Sequence, residues 1–474
     1  MTTRRNLMTG AAAVGGAAAI GGTGAVGYRA WRDREPASPP ATDSGGRLLW
    51  RNWSGIQSAY PRDRAAPSTE DELATVLKTA PGPIRPVGAG HSFMPLVPTA
   101  GTLLTLDRMG GLFDHDPVAL TARVSAGMRL GDLGPALAAI GQEMPNLPDI
   151  NKQSIGGALG TATHGTGKGL KAIHGEVQSF RLATARGEIL DCDADHHPEI
   201  FNAARVNLGA FGVVTQVVLK NRPLTRVHKR VVLRDLNDAC DDWEHLKATN
   251  RNVEFYAIPF TGKAAVITAN VTNAAVKPRG ADTDSAVLMD LKRLRDLFGW
   301  SPHLRRWIAV QALGSTPPED MVDEGWKLLS NERPVRFNEM EFHLPQEAQI
   351  PVLKEVVAAI EAHRNDVFFP IEVRTIEADD AWLSPFYQRP SGSVAVHAYY
   401  KDDYKFLFKL IEPIFRRHGG RPHWGKLNSL RAADFKALYP RWTDAMEVRA
   451  SLDPDGRFLN AYLKKALIDA QQDV

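Results

Sequence analysis

The sequence predicts an α+β protein of two domains behind a short N-terminal leader, and three observations predict it. Its 474 residues exceed what one hydrophobic core usually organises. Short β-rich runs alternate with helical patterns as far as Arg222, and after Pro223 the texture changes to longer runs of alternating apolar and polar residues, the pattern of a half-buried antiparallel sheet. Two glycine-rich segments, Pro86-Val87-Gly88-Ala89-Gly90-His91-Ser92-Phe93 and Ile155-Gly156-Gly157-Ala158-Leu159-Gly160-Thr161-Ala162-Thr163-His164-Gly165-Thr166-Gly167, both fall in the first of these domains.

In chain order, residues 1–46 are a leader and tether. Thr3-Arg4-Arg5-Asn6-Leu7-Met8 precedes an uncharged run from Leu7 to Tyr28, which reads as a twin-arginine export signal. The run is long enough to span a bilayer, but its glycines make it only weakly hydrophobic. The expectation is an extracytoplasmic protein, secreted or anchored at the membrane through this leader, with the twin-arginine export machinery as a partner. Residues 35–46, rich in Pro and Gly, read as a flexible link.

The first domain, 47–223, opens with a helix capped by Ser68 or Thr69, with acids in its first turn. Residues 85–87 and 101–106 read as strands, 130–140 as an amphipathic helix, and 180–184 and 212–219 as further strands. The second domain, 224–474, reads as strands over 231–233, 253–259, 264–271, 335–343, 371–376 and 393–400. Helices over 351–364 and 404–415 lie between them.

A formal charge of +3 is small for this length, and five arginines against Asp33 and Glu35 supply it within the leader. Nucleic-acid binding needs a basic face with interleaved aromatics, and none is present. Only Cys192 and Cys240 occur, with no C-x-x-C and no histidine at metal spacing, so buried free thiols are expected. Adjacent His196 and His197 diverge on any regular element, which argues against a metal site there.

Glycine at the density of the two segments lets backbone N–H groups approach a ligand with no Cβ in the way, so successive amides can form an anion-binding concavity suited to a pyrophosphate. The ordinary dinucleotide fingerprint requires G-x-G-x-x-G opening a helix. Here the third glycine is missing and Pro95 interrupts any such helix.

These residues resemble the FAD-linked oxidases of the vanillyl-alcohol oxidase type, and within them the aldonolactone and alditol oxidases. Gly88 to Ser92 is similar to G-x-G-H-S, and Gly156 to Gly167 to A-G-x-x-x-x-G-T-H-G-T-G, with Ala162 where glycine is common. Leu208-Gly209-Ala210-Phe211-Gly212-Val213-Val214-Thr215 is similar to the strand entry beside the flavin. His423-Trp424-Gly425-Lys426 resembles H-W-G-K, with Asn428 where a histidine is common, and Asp453 to Asn460 resembles D-P-x-G-x-F-x-N. The resemblance implies FAD as cofactor, bonded covalently through His91. It implies an FAD-binding α+β domain and an α+β substrate domain with a mainly antiparallel sheet, whose residues 420–474 return to the flavin. The cofactor contacts it implies are Val87, Gly88, Ala89, Gly90, His91, Ser92, Ser154, Gly157, Thr161, Ala162, Thr163, His164, Gly165, Gly212 and Val214.

As a strand, 371–376 puts Glu372 and Arg374 on one face. An ordinary ion pair on a solvated face accounts for that pattern too, but the segment following it is similar to the stretch after the family's substrate-contacting Glu-x-Arg. The resemblance assigns Lys426 to the flavin N1/C2 edge, Arg374 to a substrate oxygen, and Glu372 to binding substrate and holding Arg374. Trp424 reads as packing. The implied activity is oxidation of a CH–OH group in a small-molecule polyol or sugar-derived lactone, with molecular oxygen as acceptor and hydrogen peroxide as product. Alternatives are a dehydrogenase using a quinone or protein acceptor, and a carbohydrate-binding protein without flavin.

Overall fold

The computed structural model describes residues 33–280, 284–314 and 317–468, so the twin-arginine segment lies outside the described residues. Helices and antiparallel sheets are mixed, as the α+β expectation requires.

In the first half, a parallel three-stranded sheet runs Asp63–Ala65, Thr102–Leu104, Ile84–Pro86, with the middle strand paired to both others. Helix Glu70–Thr79 covers it. Thr69 is the N-cap, its hydroxyl accepting from the Glu72 amide at 3.1 Å, while Ser68 donates to the Glu72 carboxylate. Leu73 and Leu77 recur at helical spacing and are fully buried against Ile84, Leu104 and Val213. Beside this lies an antiparallel sheet in the order Ile189–Asp193, Val177–Ala183, Val213–Lys220, Thr121–Ser125, Leu112–Asp116.

The second half is organised by one antiparallel sheet of eight strands. Its order is Glu319–Glu324, Arg226–Asp235, Lys263–Thr272, Asn252–Ile258, Ile371–Ile376, Ser391–Tyr399, Phe337–Pro345 and Arg421–Pro422. One face is apolar and packs on helices: Phe342 stacks on Phe415, and Phe255 meets Trp243 edge-on. The other face turns toward the first half and carries the polar residues described below.

Helix Gln346–His363 begins five residues before Pro351, where the sequence placed its start. Pro351 is therefore interior, and the extra turn exists because Gln349, fully buried, donates to the carbonyls of Arg374 (2.6 Å) and Ser393 (3.0 Å). The segment expected as a helix over 404–415 is a π-turn at Leu407–Ile411 followed by helix Glu412–Arg417. Two roofing helices, Asp284–Phe298 and Pro302–Leu313, complete the second half. Cys192 and Cys240 are free and buried. Burial pushes their thiols up to about 12 and about 11.

The C-terminal motif closes the molecule. Asp453 accepts from the amides of Arg457 and Phe458, Arg457 donates to carbonyls at 77, 80 and 185, and Asn460 donates to those of Pro95 and Pro98. Arg85, fully buried, completes the clamp. Its guanidinium donates to the carbonyls of Leu96, Leu208 and Gly209, each at 2.7 Å, and to that of Phe458. One side chain thus ties together three segments far apart in sequence.

Candidate active site

The first glycine segment leaves strand Ile84–Pro86 and runs over helix Ile155–Gly160. The amides of Gly88, Ala89, Gly90, His91 and Ser92 donate to no acceptor among the described residues. Five consecutive open donors form an anion-binding concavity. The second segment meets the first here: a Cβ on Gly88 would stand 2.0 Å from the Ser154 hydroxyl, which caps the helix by accepting from Gly157 N–H. Gly90 lies at φ +68° and Gly209, across the cleft, at φ +62°, conformations that favour glycine. A cavity of about 120 Å³ runs between these walls, lined by Val87, Gly88, Ala89, Gly90, His91, Ser92, Ser154, Gly157, Thr161, Gly212 and Val214. The open amides and the close-approach glycines fit the pyrophosphate end of a flavin nucleotide.

A second cavity of about 300 Å³ holds Thr163, His164, Glu372, Arg374 and Lys426. Gln153, which sequence reasoning passed over, lines both cavities and donates to Thr163 Oγ1 at 3.1 Å. Ala162 and Gly165, expected at the cofactor, line neither. Ala162 is buried in the core at φ +59°, and a Cβ on Gly165 would meet the Leu147 carbonyl at 2.2 Å.

The register of the large sheet assembles the larger site. Tyr256 pairs with Glu372, Glu372 with Ala395 and Ala395 with Glu341, so these side chains share one face across four strands. Ala395 is small and leaves room between the two carboxylates. Glu372 is bonded through Oε1 by Tyr256 Oη at 2.6 Å and through Oε2 by Arg374. Arg374 also lies 3.9 Å from Glu341 and donates to the His164 carbonyl at 3.4 Å, while its Nε is buried with no partner among the described residues. Glu341 accepts from Ser393 and lies 3.1 Å from His164 Nε2. Lys426 pairs with Glu339, one register step away on the same strand face, and sits 5.3 Å over the Phe93 ring.

Burial alone would raise Glu341, but His164 and Arg374 beside it hold it well below the usual carboxylate range. Burial lowers Arg374, and Glu372 with Glu341 outweighs that to raise it well above its usual value. Glu254, facing the same cavity, is pushed up to about 7 by burial and by Glu372. His91 stacks on Trp53 at 5.1 Å and is brought down to about 4 by burial, then by Lys426, Arg129 and Lys152, so its ring is neutral at pH 7.

His164, Glu341 and His423 also bring metal-ligand atoms within 4.8 Å of one another, as do Glu339, Glu372 and His397. No sequence spacing revealed these sets, because their members come from different strands and loops. Arg374 and Lys426 already counter the carboxylates in both. Trp424 is packing: it stacks on Phe435, Tyr439 and Trp442 and donates to the Leu383 carbonyl. Asn428 holds the adjoining turn, donating to the Lys426 carbonyl and accepting from Leu430 N–H.

Comparison with known proteins agrees with this geometry. The D-arabinono-1,4-lactone oxidase family matches residues 217–466, and the FAD binding domain family matches 61–193. An L-gulono-1,4-lactone dehydrogenase of Mycobacterium tuberculosis is 33% identical over 430 residues, 88% of this chain and 99% of that one. An L-gulonolactone oxidase of Scyliorhinus torazame is 29% identical over 434 residues (88% and 97%), and an alditol oxidase of Streptomyces sp. 27% over 439 (88% and 98%). A cholesterol oxidase from B. sterolicum shares the fold, with a TM-score of 0.74 at 16% identity over 92% of this chain and 100% of that one. The chain therefore belongs to the D-arabinono-1,4-lactone oxidase family, FAD-dependent oxidoreductases that act on CH–OH donors.

Proposed function

We propose that this enzyme oxidises a CH–OH group of a sugar-derived lactone or polyol, with FAD bonded covalently through His91. One observation carries the reading: Glu372, Arg374 and Lys426 converge in a cavity that shares Gln153 with the glycine-lined cleft. When bound, FAD supplies the two-electron acceptor that takes a hydride from the substrate carbon. Glu372, fixed by Tyr256 and Arg374, has lone pairs left to accept the substrate hydroxyl and take its proton as the carbonyl forms. Arg374 donates to a second substrate oxygen. Lys426, held by Glu339, would supply a fixed cation for the negative charge that the cofactor gains. The neutral His91 ring offers a free lone pair for the tether.

The test is anaerobic bleaching of the yellow holoenzyme by a panel of polyols and aldonolactones. Bleaching by at least one supports the reading, and none across the panel overturns it. His91→Ala should leave flavin that separates from acid-precipitated protein, where the parent retains fluorescence in the pellet.

Molecular oxygen is the proposed acceptor, giving hydrogen peroxide. The relative named as a dehydrogenase favours a second reading, a quinone or protein acceptor. Substrate-dependent peroxide under air supports the first, and its absence the second. The Arg4-Arg5 leader supports export by the twin-arginine route, and exchanging both for lysine should retain the protein in the cytoplasm.

A further inference from the structure

The larger cavity does not end at the reacting residues. The row that carries Glu372 and Tyr256 continues through Ala265 to Leu233, and the parallel row from Glu254 continues through Ile267 to Val231. Three strand spacings put Leu233 ~14 Å from Glu372, well beyond the reach of one lactone ring. Over this end lie Leu288, Leu291 and Leu313 of the two roofing helices. Asp149, Lys229, Arg279, Ser285, Glu319 and Arg333 also line the cavity, Glu319 as the register partner of Val231, and the hydrocarbon lies between them on Leu233, Ala265, Ile267 and the roofing leucines. Val287 lines the chamber and is also 44% exposed, which places a mouth at the first turns of helix Asp284–Phe298. The same helix pair exposes Leu297, Trp300 and Trp307, the last two at 76% and 61%. Large aromatic side chains left outside on the elements that roof an apolar chamber suit a ligand arriving from an apolar phase.

We infer that the substrate is an amphiphile: a polyhydroxylated head oxidised at Glu372, Arg374 and Lys426, joined to a hydrocarbon tail that occupies the chamber between Ile267, Leu233 and the roofing helices. This rests on the oxidation reading above. A free sugar lactone leaves the chamber wet, whereas an alkyl extension displaces that water from apolar walls. Each buried methylene then improves binding about fourfold until the chamber is full. The gain belongs in KM with kcat unchanged, because the tail is bound equally before and during reaction.

The experiment uses the holoenzyme with the best substrate from the panel and its butanoyl, octanoyl and dodecanoyl monoesters, each below its micelle concentration. A kcat/KM that climbs with chain length through KM, then levels off, is the expected result, and Leu288→Gln should flatten the climb. A flat or falling series with an oxidised parent compound overturns the inference whatever the variant does. So does a series without gain in which a long-chain quinone competes with substrate, since the chamber then serves the acceptor. If the parent compound itself is not oxidised, the underlying reading fails instead.

Discussion

Arg85→Met tests whether the C-terminal motif holds the cofactor cleft shut. The guanidinium donates to four carbonyls, and the substitution removes every donor while keeping most of the buried volume. Leu96, Leu208 and Gly209 lie on the cleft wall, where water can replace one donor, whereas Phe458 is fully buried away from it. One orphaned carbonyl at about 1–3 kcal/mol, plus about 1 kcal/mol for each replaced charge-assisted bond, gives a loss of about 4–6 kcal/mol. Because 88–92 line the same cleft as Leu208, Gly209 and Gly212, the loss should appear in the transition that releases the flavin from its site. Urea unfolding of the holoenzyme followed by flavin fluorescence measures it. Arg85→Lys should recover less than half, since an ammonium cannot reach three directions in one plane. A shift below about 1 kcal/mol for the methionine variant would refute the clamp.

Three other outcomes are expected. Lys426→Met should slow flavin reduction by substrate by about 100–1,000-fold and destabilise the fold by about 3–5 kcal/mol by stranding Glu339. Adding Glu339→Gln should restore stability but not rate, and recovery of rate would show the lysine to be structural. Glu254, raised to about 7, stabilises the fold fully below its unfolded value near 4.5, and that contribution is lost as pH rises through 7. Glu254→Gln should therefore flatten the melting temperature between pH 5 and 8, and an unchanged slope would disprove the assignment. Gly88→Ala should lower flavin content, since its Cβ meets Ser154 Oγ, and Ser154→Ala should partly rescue it with a coupling of about 0.5–3 kcal/mol. Purely additive losses would mean the two segments do not press on each other.

The glycine segments were legible because a backbone that must expose consecutive amides leaves a compositional trace. The strand at 371–376 was legible through its alternation, and its end residues match the observed ones. Glu339 and Glu341 were missed as site residues although they stand two residues apart within a segment read as a strand. That spacing says which face they share, but not that the face is buried against a cofactor cleft. Tyr256 and Glu254 join the site through pairing between strands far apart in sequence, which periodicity does not encode. Ala162 differs: its place in a motif suggests contact, while it lies buried in the core at φ +59° and lines neither cavity. Gln349 shows the same limit, since only the carbonyls of two neighbouring strands explain why its helix starts before a proline.

Both sulfhydryl groups lie deep within the protein, with proton affinities raised to about 12 and about 11. At neutral pH roughly one in ten thousand or fewer carries the negative form that peroxides attack. Neither cysteine is therefore primed for attack by such an oxidant, and damage from that quarter falls on other side chains.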